Sequence, residues 1–131
     1  MSQHPVYWVD AFANEQPGGA AAVAVLDADG LDPELMQRVA SEFDVGETSF
    51  VMRPRDPDRA HARARIFTPV EERPYAGVPV LAMAFALTDA GRVPLGEDRT
   101  EVRLELAAGL VCAAVARDAN GRSEIALTSL P

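Results

Sequence analysis

Pro79-Val80-Leu81-Ala82-Met83-Ala84-Phe85-Ala86-Leu87-Thr88-Asp89-Ala90 is the stretch that decides the fold. Pro79 suits the first helical position, where a missing N–H costs nothing, and Gly91 supplies a C-terminal stop, so a helix is predicted over 79–90. From Val80 to Leu87 it has no polar face. A short helix that is apolar on all sides is buried on all sides. A chain of 131 residues, 48% of them hydrophobic, has room for one compact domain with one core and not for two. The helix must therefore be wrapped by the rest of the domain, and a curved sheet is the arrangement that does this at such a size.

The flanking sequence supplies that sheet and one more helix. Val6 to Phe12 is β-branched and aromatic, as a strand should be, and a loop follows over Asn14 to Gly19. Ala20 to Leu26 returns as a second strand and ends in the turn-like Asp27-Ala28-Asp29-Gly30. A second helix is predicted over 33–43. Asp32 can cap it, Pro33 fits its first position, Leu31 and Met36 can form a hydrophobic staple, and Leu35, Val39 and Phe43 recur at i, i+4 and i+8. Thr48 to Met52 reads as a strand stopped by Pro54. His61 to Thr68 alternates, with Ala62, Ala64 and Ile66 on one face and His61, Arg63 and Arg65 on a polar, exposed one. Val102-Leu106, Leu110-Ala116 and Ile125-Leu127, with Asn120-Gly121 as a turn, form a meander of three strands. The expectation is a single α+β domain over 1–131: a mixed curved sheet around the buried helix 79–90, with helix 33–43 outside.

Composition excludes several function classes. A net charge of -8 and a pI near 4.6 repel phosphate backbones, so a nucleic-acid partner is not expected. All the basic residues are Arg and alanine is abundant, which reads as a GC-rich bacterial coding bias. One cysteine, Cys112, fits a reducing cytosol and a packed thiol. Val78 to Leu87 is about half of what a bilayer crossing needs, and Met1 to Pro5 lacks a secretory pattern. A soluble, cytoplasmic protein is expected, without a membrane partner. Gly18-Gly19 lacks the Lys and the glycine spacing of a phosphate loop, and His4 and His61 are too far apart in sequence to suggest a metal.

Five collinear segments carry a resemblance: Val9-Asp10-Ala11-Phe12, Leu35-Met36-Gln37-Arg38-Val39-Ala40, Glu47-Thr48-Ser49-Phe50-Val51, Arg65-Ile66-Phe67-Thr68-Pro69 and Ala76-Gly77-Val78-Pro79. In that order and spacing they resemble the N-terminal half of PhzF-like proteins, the phenazine-biosynthesis branch of the diaminopimelate epimerase fold. The resemblance implies a barrel-like sheet curled round a central helix, as the residues themselves do. It also implies a small-molecule substrate held between two such domains, of which this sequence carries one, and no cofactor or metal. Two departures stand inside the matched half. The family's Gly-Asn-Pro loop is Gly19-Ala20-Ala21, and its Gly-His-Pro is Gly77-Val78-Pro79. Where diaminopimelate epimerases place a catalytic cysteine, this chain has Ala76, so a two-thiol racemase mechanism is not expected.

Glu47 falls at the family's glutamate acid/base. A carboxylate shuttles protons well in a cleft that excludes water, whereas the plain alternative is a solvated turn residue. Gly77 and Val78 begin the central helix, whose free backbone N–H groups and dipole favour a substrate oxygen, unless loop atoms or water fill that place. Val78 in place of histidine makes the site more apolar, so the substrate should differ from that of the phenazine enzyme. Gly19, Ala20 and Asp10 complete the implied substrate-binding set, with Asp10 a second acid/base candidate. Arg53, Arg55, Arg59, Arg63 and Arg65 could draw in an anion, but Asp56 and Asp58 interrupt them and a solvated face is the plainer reading.

The expected activity is cofactor-independent acid/base chemistry of isomerase, tautomerase or cyclase type on a small anionic metabolite of secondary metabolism. The rival reading is a degenerate half that binds a metabolite or a protein partner. A half-length chain exposes the surface that faces its other half, so a C2 homodimer, or a heteromer with a separate second half, is expected. In the homodimer two Glu47 carboxylates would face one pocket and divide the acid and base roles.

Overall fold

The computed structural model describes residues 3–11 and 20–131. The strands are β1 (Val6–Ala11), β2 (Ala20–Val25), β3 (Glu47–Met52), β4 (Ala62–Phe67), β5 (Glu72–Arg73), β6 (Thr100–Leu106), β7 (Gly109–Arg117) and β8 (Ser123–Ser129), with helices α1 (Pro33–Phe43) and α2 (Gly77–Asp89). One mixed sheet runs β1-β2-β3-β4-β6-β7-β8, and β5 pairs only with β4. The two parallel pairs, β2 with β3 and β4 with β6, each need a long crossover, and the two helices supply them. Phe12 and the loop read at Asn14 to Gly19 lie outside the described residues.

Alternation along the strands divides the core in two. Ala22 and Ala24, Val51, Ala62, Ala64 and Ile66, Val102, Leu104 and Leu106, and Val111, Ala113 and Val115 are buried on the concave face. Most of them share one cluster with Val80, Met83, Ala84, Ala86 and Leu87 of α2. The alanines let the helix come close to the strands. α2 touches β1 and β2 at one end of the sheet and β7 and β8 at the other, so the sheet curls round it. On the convex face Val23, Val25, Phe50, Met52 and Phe67 pack with Met36 and Ala40 of α1. Asp32 caps α1 through Leu35 N–H at 2.8 Å, and Asp44 ends it in a left-handed conformation with φ of 50°.

Several boundaries differ from expectation. α2 starts at Gly77 with Ala76 before it, not at Pro79, because the proline still lies in the first turn, where no N–H donor is required. Glu47 is the first residue of β3, held by pairing with Ala22, and not part of a turn. β5 was not foreseen. His61 is half buried between strands: its backbone N–H donates to Arg103 O at 2.9 Å, and its Nδ1 accepts from Arg103 N–H at 3.0 Å. A backbone N–H can only donate, so the ring proton sits on Nε2, and burial pushes the imidazole below its usual range.

One ion pair ties the chain after α2 to the end of β2. Arg92 donates to both Asp27 oxygens at 2.5 and 2.8 Å, and this hydrogen bonding holds the carboxyl below its ordinary range despite some desolvation. A lowered folded pKa stabilises fully above the unfolded value of about 3.9, and the contribution fades as pH falls through the folded one. The side chains are 43% and 47% exposed, so the pair is worth under about 1 kcal/mol. Asp27→Asn, which tolerates the same left-handed φ, should lower the melting temperature at neutral pH by roughly 1–4 °C. Calorimetry across pH should show the gap closing below about pH 4. A gap independent of pH would place the loss in the backbone and not in the charge.

Candidate active site

α2 runs in the same direction as β2 and β3. Its last turn packs where those strands end, since Leu87 and Arg92 line one cavity with Leu26, Asp27, Val51 and Met52. Thirteen helical residues rise about 20 Å, which matches a six-residue strand. The start of α2 therefore lies at the end of the sheet where β2 and β3 begin. β1 is antiparallel to β2, and its Asp10 pairs with Ala21, so Asp10 belongs to the same end.

Glu47 stands there half exposed, on the concave side with Ser49 and Val51. Ser49 is 1% exposed and its hydroxyl has no partner among the described residues, so a polar group with unmet hydrogen-bonding capacity lies two residues from the carboxylate on one face. The first turn of α2 has no side-chain cap among the described residues. A Cβ placed on Gly77 would lie 3.6 Å from the Tyr75 hydroxyl and 3.7 Å from Leu127. That is ordinary contact, so the chain's own packing does not demand glycine here. Tyr75 was missed by the sequence reading. Its only signal was a hydroxyl two residues ahead of a helix-opening glycine.

Asp10 and Val78 meet in a cavity of about 710 Å³ between the two edge strands, β1 and β8. Trp8, Leu81, Phe85 and Arg122 also line it, and Trp8 is 56% exposed. Glu47 and Gly77 are not among its lining residues. The structure thus brings Asp10 and Val78 together and sets Glu47 at the same end of the sheet, outside that cavity. Ala20 opens β2 in register with Ala11, while Gly19 lies outside the described residues.

A family model for phenazine biosynthesis-like proteins matches residues 9–131. The chain belongs to the PhzF family. Over 93 residues it is 44% identical to trans-2,3-dihydro-3-hydroxyanthranilate isomerase of Pseudomonas aeruginosa, covering 69% of this chain and 33% of that protein. An uncharacterised isomerase of Mesorhizobium japonicum is 38% identical over 128 residues, 93% of this chain and 39% of that one. The crystal structure of a PhzF-family phenazine biosynthesis protein from Bacillus anthracis superimposes with a TM-score of 0.77 at 34% identity, over 93% of this chain and 39% of that chain. This PhzF-family chain spans less than half the length of these relatives.

Two other reactive side chains of this PhzF-family chain are packed against neighbours. Cys112 is 8% exposed and burial raises its thiol pKa, as befits an inert packed residue. Tyr7 packs edge-on against Phe85 at 6.3 Å, and burial together with the Asp89 carboxylate raises its pKa. Among the described residues no three His, Cys, Asp or Glu side chains converge. No helix among them is long and apolar enough to cross a membrane.

Proposed function

We propose that this chain is a cofactor-independent acid/base isomerase acting on a small, anionic metabolite, with Glu47 as the proton shuttle. The observation that carries the reading is the arrangement at one end of the sheet. A carboxylate on the concave face lies at the end where a helix start without a side-chain cap among the described residues, beside the Tyr75 hydroxyl, opens. A substrate oxygen held at those N–H groups is polarised by the helix dipole, which stabilises the charge that develops when a proton leaves the adjacent atom. Glu47 then takes that proton and returns it at another position. Gly77, Val78 and Asp10 would contact the substrate in this reading.

The reading includes a second wall, supplied by a second copy in a C2 homodimer or by a separate second half. Val78 narrows the substrate class toward compounds less polar at that point than those of histidine-bearing relatives. The rival is a degenerate binding module. The apolar lining of the seam cavity by Val78, Leu81 and Phe85 beside exposed Trp8 favours it.

Incubation in D2O with a panel of small carboxylates tests both readings. The panel includes trans-2,3-dihydro-3-hydroxyanthranilate, the compound in the names of the curated relatives. Deuterium is expected in at least one compound, with light scattering reporting a dimer. A folded chain that binds panel members and labels none of them would establish the binding module.

A further inference from the structure

Four of the arginines, three of them read from sequence as part of a solvated face, converge in one place. β4 changes partners along one edge: Ala62 and Arg63 pair with β6, whereas Ile66 and Phe67 pair with β5. Between them Ala64 and Arg65 pair only on their β3 side. The fork is closed at its far end by Ala108 N–H donating to Pro74 O at 3.2 Å. Within it lies a cavity of about 630 Å³, lined among others by Arg55, Arg63, Arg65, Arg73, Glu72 and Glu105.

The acids of this cleft are already engaged. Glu72 accepts two hydrogen bonds from Arg65, each of 2.7 Å. Glu105 accepts from the backbone N–H groups of Arg55 and Asp56 at 2.7 and 3.0 Å, fixing the loop that carries Arg55. Arg73 reaches Glu71 at 3.4 Å in an exposed pair. Arg63 is the exception. Among the described residues its one side-chain hydrogen bond is to the Met52 sulfur at 3.7 Å, a weak acceptor, and its Nε is buried with no partner. Arg55 makes no ion pair among the described residues. Four guanidinium groups against two carboxylates leave the cleft net positive in a chain whose net charge is -8. A buried guanidinium N–H without an acceptor is costly, and the partly exposed remainder of Arg63, which lines the cavity, is the part that a ligand can reach.

The structure assigns this fork as a binding site for a compact dianion, such as a phosphate group or a small dicarboxylate, with Arg63 and Arg55 as its ligands. Guanidinium groups suit such oxygens because their donors form a planar fork that bonds two oxygens at once. The free backbone edge at Ala64 and Arg65 adds polar groups on the floor. The site is distinct from the Glu47 end and does not depend on the activity proposed for it.

Calorimetric titration of the full chain tests the assignment. The probes are sodium phosphate and sodium malonate, each at about pH 8, where phosphate is nearly a dianion, with ionic strength held constant by sodium chloride. One of them should bind saturably at one site per chain, phosphate identifying a phosphoryl site and malonate a dicarboxylate site. Arg63→Met keeps the apolar stem and removes the stranded donor, so it should fold as well as the parent while binding at least tenfold more weakly. Arg55→Gln, on an exposed loop, should also weaken binding, and Arg99→Gln, outside the cleft, should not. Failure of both anions to saturate the site, or unaltered affinity in Arg63→Met and Arg55→Gln, overturns the assignment. So does a heat signal that tracks dissociation of a dimer in light scattering, because the cleft would then belong to a contact between chains.

Discussion

Replacement of Glu47 by Gln is expected to lower turnover by about 10² or more and to leave the fold intact. Gln preserves the length and planar shape of the side chain and most of its hydrogen bonding, but it has no oxygen basic enough to accept a proton. Glu47 is only half buried at the start of β3 and makes no ion pair among the described residues. Loss of its charge should therefore change stability by less than about 0.5 kcal/mol. The decisive measurement is the rate of solvent-deuterium incorporation, with thermal unfolding recorded on the same samples. Equal rates for parent and variant would remove Glu47 from the chemistry and turn attention to Asp10. A drop in rate with a parallel drop in melting temperature would point to folding instead.

The fold was legible where periodicity and burial agree. Val80 to Leu87 could only be a wrapped helix. Asp32-Pro33 and the recurrence of Leu35, Val39 and Phe43 set α1, since capping and hydrophobic periodicity are local signals, although the residues the structure buries are Met36 and Ala40. Strand β5 left no trace because two residues carry no period, and their pairing depends on where β4 is released by β6. His61 was read as exposed from alternation alone. Its burial comes from the parallel neighbour β6, a contact from 42 residues away that no local pattern encodes.

The candidate site was legible in part. Glu47 and the start of α2 came through the family resemblance, and chain direction brings them to one end of the sheet. The Ser49 and Tyr75 hydroxyls escaped because a serine in an apolar strand and a tyrosine before a turn are ordinary features. They gain meaning only from an absent partner or from a neighbour that lacks a side chain. The arginines were read as interrupted by Asp56 and Asp58. In the structure Asp56 caps its own loop by accepting from Asp58 N–H at 3.1 Å, and the arginines of β4 meet Arg55 and Arg73 across the fork.

Phe50→Ala is expected to cost about 3–5 kcal/mol of stability, the opposite outcome to Glu47→Gln three residues earlier in the same strand. Phe50 points to the convex face, is 0% exposed and meets Phe67 edge-on with centroids 5.6 Å apart. Truncation removes most of the side chain from the layer between the sheet and α1 and forfeits the edge-to-face pair. The remaining wall, Val23, Val25, Met36 and Phe67, sits on a sheet and a capped helix that cannot close fully over the gap. At an unfolding entropy of about 2.1 cal/mol/K per residue, this corresponds to a fall in melting temperature of roughly 10–18 °C. Glu47 lies on the other face, so any protein that remains folded at low temperature should keep its turnover. If calorimetry finds a loss below about 1 kcal/mol, α1 packs too loosely to matter and the support of β3 must come from the concave core alone.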